Sequence, residues 1–182
     1  VHTLPLRTWI NNAGFGDYGQ VAAQDLDKIR PMLHLNIEAL TILSMLFVRD
    51  FADVEGTQLI NISSVGGYLI VPNVVTYCAT KFYVSAFTEG LAQELHANGA
   101  KLCAKILAPA ATQTEFGAVA NNNPAYDYNK AFGTYHTSAE MANFLLKLYD
   151  SDQTLGIVDR ETLTFRLTTP QYPYAGNSAR NQ

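Results

Sequence analysis

With 182 residues, 48% hydrophobic and 15% charged, the chain holds enough apolar material for one good core, and its length favours a single domain spanning 1–182. Twelve basic residues against sixteen acidic ones give a formal charge of −4 without any Lys/Arg cluster, which argues against a nucleic-acid partner. Cys78 and Cys103 lack metal-like or redox-like spacing, and His2, His34, His96 and His136 suggest no metal site. The N-terminus lacks a signal-peptide pattern, and the apolar run LNIEALTILSMLFV is interrupted by Asn36, Glu38, Thr41 and Ser44. That run falls short of the ~18 apolar residues expected of a membrane span, so the expectation is a cytoplasmic protein without a membrane segment.

In chain order, RTWIN (7–11) suits a short strand and AGFGDYG a glycine-rich loop. From about 25 to 51 the apolar residues Ile29, Met32, Leu33, Ile37, Leu40, Leu43, Leu46 and Phe47 recur at helical spacing, with Pro31 near the start or at a bend. TQLINIS (57–63) reads as a buried strand, and a loop containing Gly66, Gly67 and Pro72 leads to a helix from about 76 to 98. KLCAKILA (101–108) is a third strand, ended by Pro109, and a polar, aromatic stretch follows from 112 to 136. Thr137 and Glu140 form a capping-box pattern opening a helix to about 149. ETLTFRL (161–167) alternates like a final strand, and 168–182 is an extension. Strands alternating with long helices predict an α/β fold, a mainly parallel sheet covered on both faces.

Tyr77 and Lys81 are four residues apart, so phenol and ammonium project from one helix face. Ser64, 13 residues upstream at the exit of a strand, can point its hydroxyl into the same space. Gly14, Gly16 and Gly19 fit a GxGxxG spacing, and Glu38 lies downstream at about the distance of a ribose-binding acid. Glu38 falls inside a helix, however, and QVAAQ delays the helix that should begin at the third glycine. The expectation is a turn-forming or cofactor-facing loop, without a dinucleotide fingerprint.

NNAG at 11–14, Asn36 in the next helix, Ser64, Tyr77-x-x-x-Lys81 and Pro109 followed by Thr114 together resemble the short-chain dehydrogenase/reductase family over about residues 8–167. The resemblance implies a Rossmann-like doubly wound three-layer fold and an oxidoreductase passing hydride between NAD or NADP and a small alcohol or ketone. Tyr77 would be the general acid/base and Lys81 would favour its phenolate, since free tyrosine has a pKa near ~10. Lys81 would also bind the nicotinamide ribose, Ser64 would hydrogen-bond the substrate oxygen, and Asn36 would hold a water leading towards Lys81. Asn11, Ala13 and Gly14 would line the cofactor cleft. Thr114 would contact the carboxamide after Pro109, although Ala110 stands where the family has glycine.

The competing roles are plainer: Tyr77 and Lys81 as a helix face, Ser64 as a turn cap, and Asn36 as a buried, satisfied amide. Tyr126, Tyr128, Phe132 and Tyr135 fall where the family places its substrate lid. The family's usual first strand, its TGxxxGxG loop and two further strands have no counterpart before NNAG, and Arg7 replaces a usual aspartate. The expectation is therefore an N-terminally truncated fold whose first strand is an open sheet edge. The resemblance also implies a homodimer or homotetramer built on the two long helices, and a non-catalytic remnant associating through those helices is the alternative function.

Overall fold

The computed structural model describes residues 4–176 and Ser178. Its central sheet contains β1 (Thr8–Asn11), β2 (Gln58–Ile62), β3 (Cys103–Ala108), β6 (Leu155–Val158) and β7 (Phe165–Thr168), in that spatial order. The first four are mutually parallel, and β7 returns antiparallel to β6. The two-residue strands β4 (Thr112–Gln113) and β5 (His136–Thr137) pair separately beside it.

Helices cover both faces, as parallel pairing requires. Phe47 and Phe51 of α2 (Leu40–Phe51) and Leu95 of α3 (Val75–Ala97) pack on Leu59 and Ala104. On the opposite face, Met141 and Leu148 of α6 (Ser138–Tyr149) pack on Ile60, Leu107 and Val158. The predicted capping box is present at the start of α6, with Thr137 and Glu140 bonding reciprocally. The short helices α4 (Phe116–Ala120) and α5 (Tyr128–Phe132) lie in the aromatic stretch.

The predicted helix at 25–51 is a continuous path in three parts: α1 (Leu26–Leu33), a π-helical segment (His34–Ala39) and α2. Asp25 caps its first turn by accepting from the Asp27 amide at 2.9 Å. Pro31 lies inside α1, deeper than a first-turn proline, and the wider π turns begin three residues later. An 18-residue stretch within this 26-residue path has a mean hydropathy of 1.5, so by length and composition alone the helix is apolar enough to cross a membrane. Ile29, Met32, Leu40, Phe47 and Phe51 nevertheless dock one face of it into the domain.

The C-terminal strands require a correction. LGIV at 155–158 is a fully buried parallel strand that the sequence reading passed over, because four residues establish no period. Residues 161–162, expected in the final strand, instead form a turn on Asp159, whose carboxylate accepts from the Glu161 and Thr162 amides at 2.9 and 2.8 Å. Leu163 follows with φ 56°, so the strand begins only at Phe165. Among the described residues the β1 ladder runs to β2 alone, so β1 is a sheet edge, as expected.

Candidate active site

The parallel strands point their C-terminal ends towards the loops that gather the candidate residues. In register, Asn11 of β1 sits beside Asn61 of β2. Asn11 donates to Asn61 Oδ1 at 2.8 Å and to Ser44 Oγ at 3.0 Å, and Asn61 donates to Thr88 Oγ1 at 2.9 Å. The side chain of Asn11 therefore braces the strand end against α2 and β2. Ala13 stays exposed beyond it.

Asn36 is 2% exposed and fully satisfied. Its Oδ1 accepts from the Phe15 amide at 3.2 Å, and its Nδ2 donates to the Phe15 carbonyl at 2.9 Å and to Thr80 Oγ1 at 3.2 Å. Thr80 in turn donates to the Tyr77 carbonyl at 2.8 Å. Asn36 thus ties the glycine-rich loop to the helix bearing Tyr77 and Lys81, a buried and structural role alongside any other. Thr80 was missed in the sequence, although its place between Tyr77 and Lys81 was the available signal.

The GxGxxG spacing carries no fingerprint. No helix starts at Gly19, whose amide bonds the Asn73 carbonyl at 2.7 Å, and α1 begins only at Leu26. Gly14 and Gly16 are needed for space. A Cβ on Gly14 would lie 3.0 Å from Asn36 Oδ1 and 3.6 Å from Lys81 Nζ, and one on Gly16 would lie 3.3 Å from the Tyr77 ring.

Ser64, Tyr77 and Lys81 do converge. Lys81 Nζ lies 5.7 Å from the centre of the Tyr77 ring and donates to the Ile62 carbonyl at 2.9 Å. Ser64 Oγ accepts from the Gly66 amide at 3.0 Å, which caps the turn as the plainer role required, and its hydroxyl is near enough to the Tyr77 phenol to favour the phenolate. Tyr77 is 7% exposed, covered by Tyr18 and Phe116 with ring centres 5.8 and 5.3 Å away. Tyr18 was also missed; its tyrosine within the glycine-rich loop was the sequence signal.

Burial dominates the electrostatics. It pushes the Tyr77 phenol well above the ordinary tyrosine value, Tyr18 adds to the rise, and only the nearby Ser64 hydroxyl opposes it. The sequence reading expected Lys81 to favour phenolate; in this arrangement desolvation outweighs any such help. Burial also lowers Lys81 to about 8.

The remaining candidates are more peripheral. Pro109 accepts the Val65 amide at 2.9 Å and so anchors the Ser64 loop to the end of β3. Thr114 is exposed and accepts from the Phe116 amide at 3.2 Å. The rings of Tyr126, Phe132 and Tyr135 each pack on that of Tyr128, with centres 5.0, 5.9 and 5.4 Å away. An open cavity of about 490 Å³ lies between Phe15–Asp17, Lys28 and residues 118–124, without reaching Tyr77.

Known proteins share this arrangement of elements. A short-chain dehydrogenase from Sphingobium yanoikuyae, solved in complex with NADPH, superposes with a TM-score of 0.73 at 27% identity, over 84% of this chain and 57% of its own. The bulky-bulky ketone specific alcohol dehydrogenase from Comamonas testosteroni superposes with a TM-score of 0.68 at 26% identity, over 84% and 54%. Dehydrogenase/reductase SDR family member 11 of Gallus gallus is 28% identical over 159 residues, and its Homo sapiens counterpart is 32% identical over 130. The alignments take in 82% and 69% of this chain but only 61% and 49% of those relatives' lengths. The family model for short chain dehydrogenase matches residues 1–125, and the chain belongs to that family.

Proposed function

We propose that this chain carries the proton-transfer centre of an NAD(P)-dependent oxidoreductase acting on a small alcohol or ketone. The observation that carries the reading is the convergence of Ser64, Tyr77 and Lys81 at one place, braced by Asn36. Bound there, a nicotinamide would supply or accept the hydride. The residues fit its ribose half: the Lys81 ammonium, 3.6 Å from where a Cβ on Gly14 would stand, is a donor for its hydroxyls.

In the reducing direction Tyr77 gives its proton to the carbonyl oxygen. Its raised pKa keeps the phenol protonated at neutral pH, the form this direction needs. Ser64 donates to the same oxygen as negative charge grows there. In the oxidising direction the phenol must first ionise, and Ser64 and the Lys81 ammonium are the groups placed to stabilise it. Tyr18 and Phe116 must shift for substrate to reach the hydroxyl, because so little of Tyr77 is exposed.

Tyr77→Phe removes the transferable proton and keeps the ring packing. Turnover of small ketones with NADPH or NADH should fall by about 10²–10⁴-fold with an unchanged fold by circular dichroism. Equal turnover by the variant would refute the assignment.

A second reading, association through the long helices, is favoured by the exposed Ile42, Leu43, Met45 and Leu46 of α2 beside Tyr83 of α3, whose hydroxyl meets Thr41 at 2.8 Å. It predicts a homodimer or homotetramer by light scattering, and is compatible with catalysis in a cytoplasmic enzyme. A monomer at micromolar concentration would dismiss it.

A further inference from the structure

One buried carboxylate has no part in that chemistry. Glu89, three turns along α3 from Tyr77, is 1% exposed, and among the described residues its partners are neutral donors. Its Oε1 accepts from the Tyr68 hydroxyl at 2.6 Å. Its Oε2 accepts from the amides of Gln171 and Tyr172, each at 2.8 Å. A buried carboxylate is costly to desolvate, and three hydrogen bonds are what make it tolerable.

The two amides come from the segment after β7, where Pro170 and Pro173 flank Gln171 and Tyr172. Each proline fixes its own φ and biases the residue before it towards extended backbone, so the paired donors are presented with little freedom left to lose. Tyr172 then turns back onto the Ser64 loop. Its hydroxyl donates to the Gly67 carbonyl, and its ring stacks on Tyr68 with centres 5.4 Å apart and planes at 14°.

The same loop is clasped from beneath. A Cβ on Gly67 would lie 2.4 Å from Ser85 Oγ, 2.5 Å from Ser63 Oγ and 2.6 Å from the Lys81 carbonyl. Residues 64–68 are therefore held between α3 and the C-terminal segment, and Ser64 opens that loop.

We propose that Glu89 and Tyr172 are positioning residues: a latch from the C-terminal segment that acts through Tyr68 and Gly67 to fix the Ser64 hydroxyl. This rests on the reading of Ser64 as the group that meets the substrate oxygen. The latch itself involves no proton transfer.

Hydrogen–deuterium exchange on the intact chain tests it. Tyr172→Phe keeps the stacked ring and loses only the bond to Gly67. Glu89→Gln keeps the size and loses the charge. In both, amides of residues 65–69 should exchange about five- to tenfold faster, with those of β3 unchanged. Unchanged exchange at 65–69, or equal acceleration in β3, overturns the proposal, because a general stability contribution would spread. With any small ketone the wild type reduces, Tyr172→Phe should lower kcat about fivefold and leave KM within about twofold. A wild type that reduces none refutes the function proposed above, while the exchange result still decides the latch.

Discussion

The inner side of the sheet and its β1 edge are built on opposite terms. Around Asn36, Lys81 and Gly67, buried polar side chains are tied to partners on other elements, and Gly67 sits where a methyl group would collide. Along β1, the backbone ladder runs to β2 alone among the described residues, and Ile10 is 43% exposed on a face without a covering helix there. The first region determines where three side chains lie relative to each other. The second asks only that a strand stay attached. Substitutions should therefore be expensive in one and cheap in the other.

The largest effect belongs to Gly67→Ala. The nearest obstacles to a new Cβ include the backbone carbonyl of Lys81, which cannot rotate away as a side chain could. The loop has to lift, breaking the Tyr172 contact and displacing Ser64. A loss of about 3 kcal/mol in urea-unfolding stability is expected, at the upper end for overpacking a tight site. A loss below about 1 kcal/mol would show that the inner region is softer than its contacts imply.

A smaller effect appears as a pH dependence. Below about 8, Lys81 is charged in both folded and unfolded chains, and the folded state bears the full cost of a buried ammonium. Between about 8 and the ordinary value of 10.5, the unfolded chain holds that proton and the folded chain has released it, so stability rises with pH. Lys105, also lowered by burial, adds in the same direction. Above about pH 10 the trend reverses, because Tyr18, Tyr68 and Tyr77 stay protonated when folded and ionise when unfolded. From pH 7.5 to 10 the gain should be roughly 2 kcal/mol, and Lys81→Met should remove most of it. A flat profile in the wild type would contradict the burial of that ammonium.

The site's skeleton was legible because its signals are local: Tyr77 and Lys81 share a helix face at a spacing of four, and Ser64 closes a strand. Likewise the long helices announced themselves by period, and Thr137 and Glu140 by their capping pattern. What escaped was either too short or too distant. LGIV is a strand because Ile106–Ala108 and Phe165–Thr168 lie beside it in register, and no short window of sequence contains all three. Glu89 and Tyr172 are 83 positions apart, and their contact depends on how the chain returns after β7. Lys81 as a neighbour of Tyr77 can be read from spacing, whereas the burial that raises the phenol's pKa is a property of the folded whole.

The smallest expected effect lies on β1, where one strand carries both kinds of position. Trp9 points inward, its ring centre 6.2 Å from that of Phe47 and its Nε1 donating to Asn11 Oδ1 at 2.8 Å. Ile10, the next residue, points to the opposite face, as strand alternation requires. Ile10→Lys gives up part of one exposed side chain's packing and adds a charge at a sheet edge, a common natural guard against strand-to-strand aggregation. Urea-unfolding stability should change by no more than about 0.5 kcal/mol, with equal or better solubility. A larger destabilisation would mean that another surface, such as a second copy of the chain, covers this face in solution. The edge would then belong with the inner region, and light scattering on the variant would show the lost assembly directly.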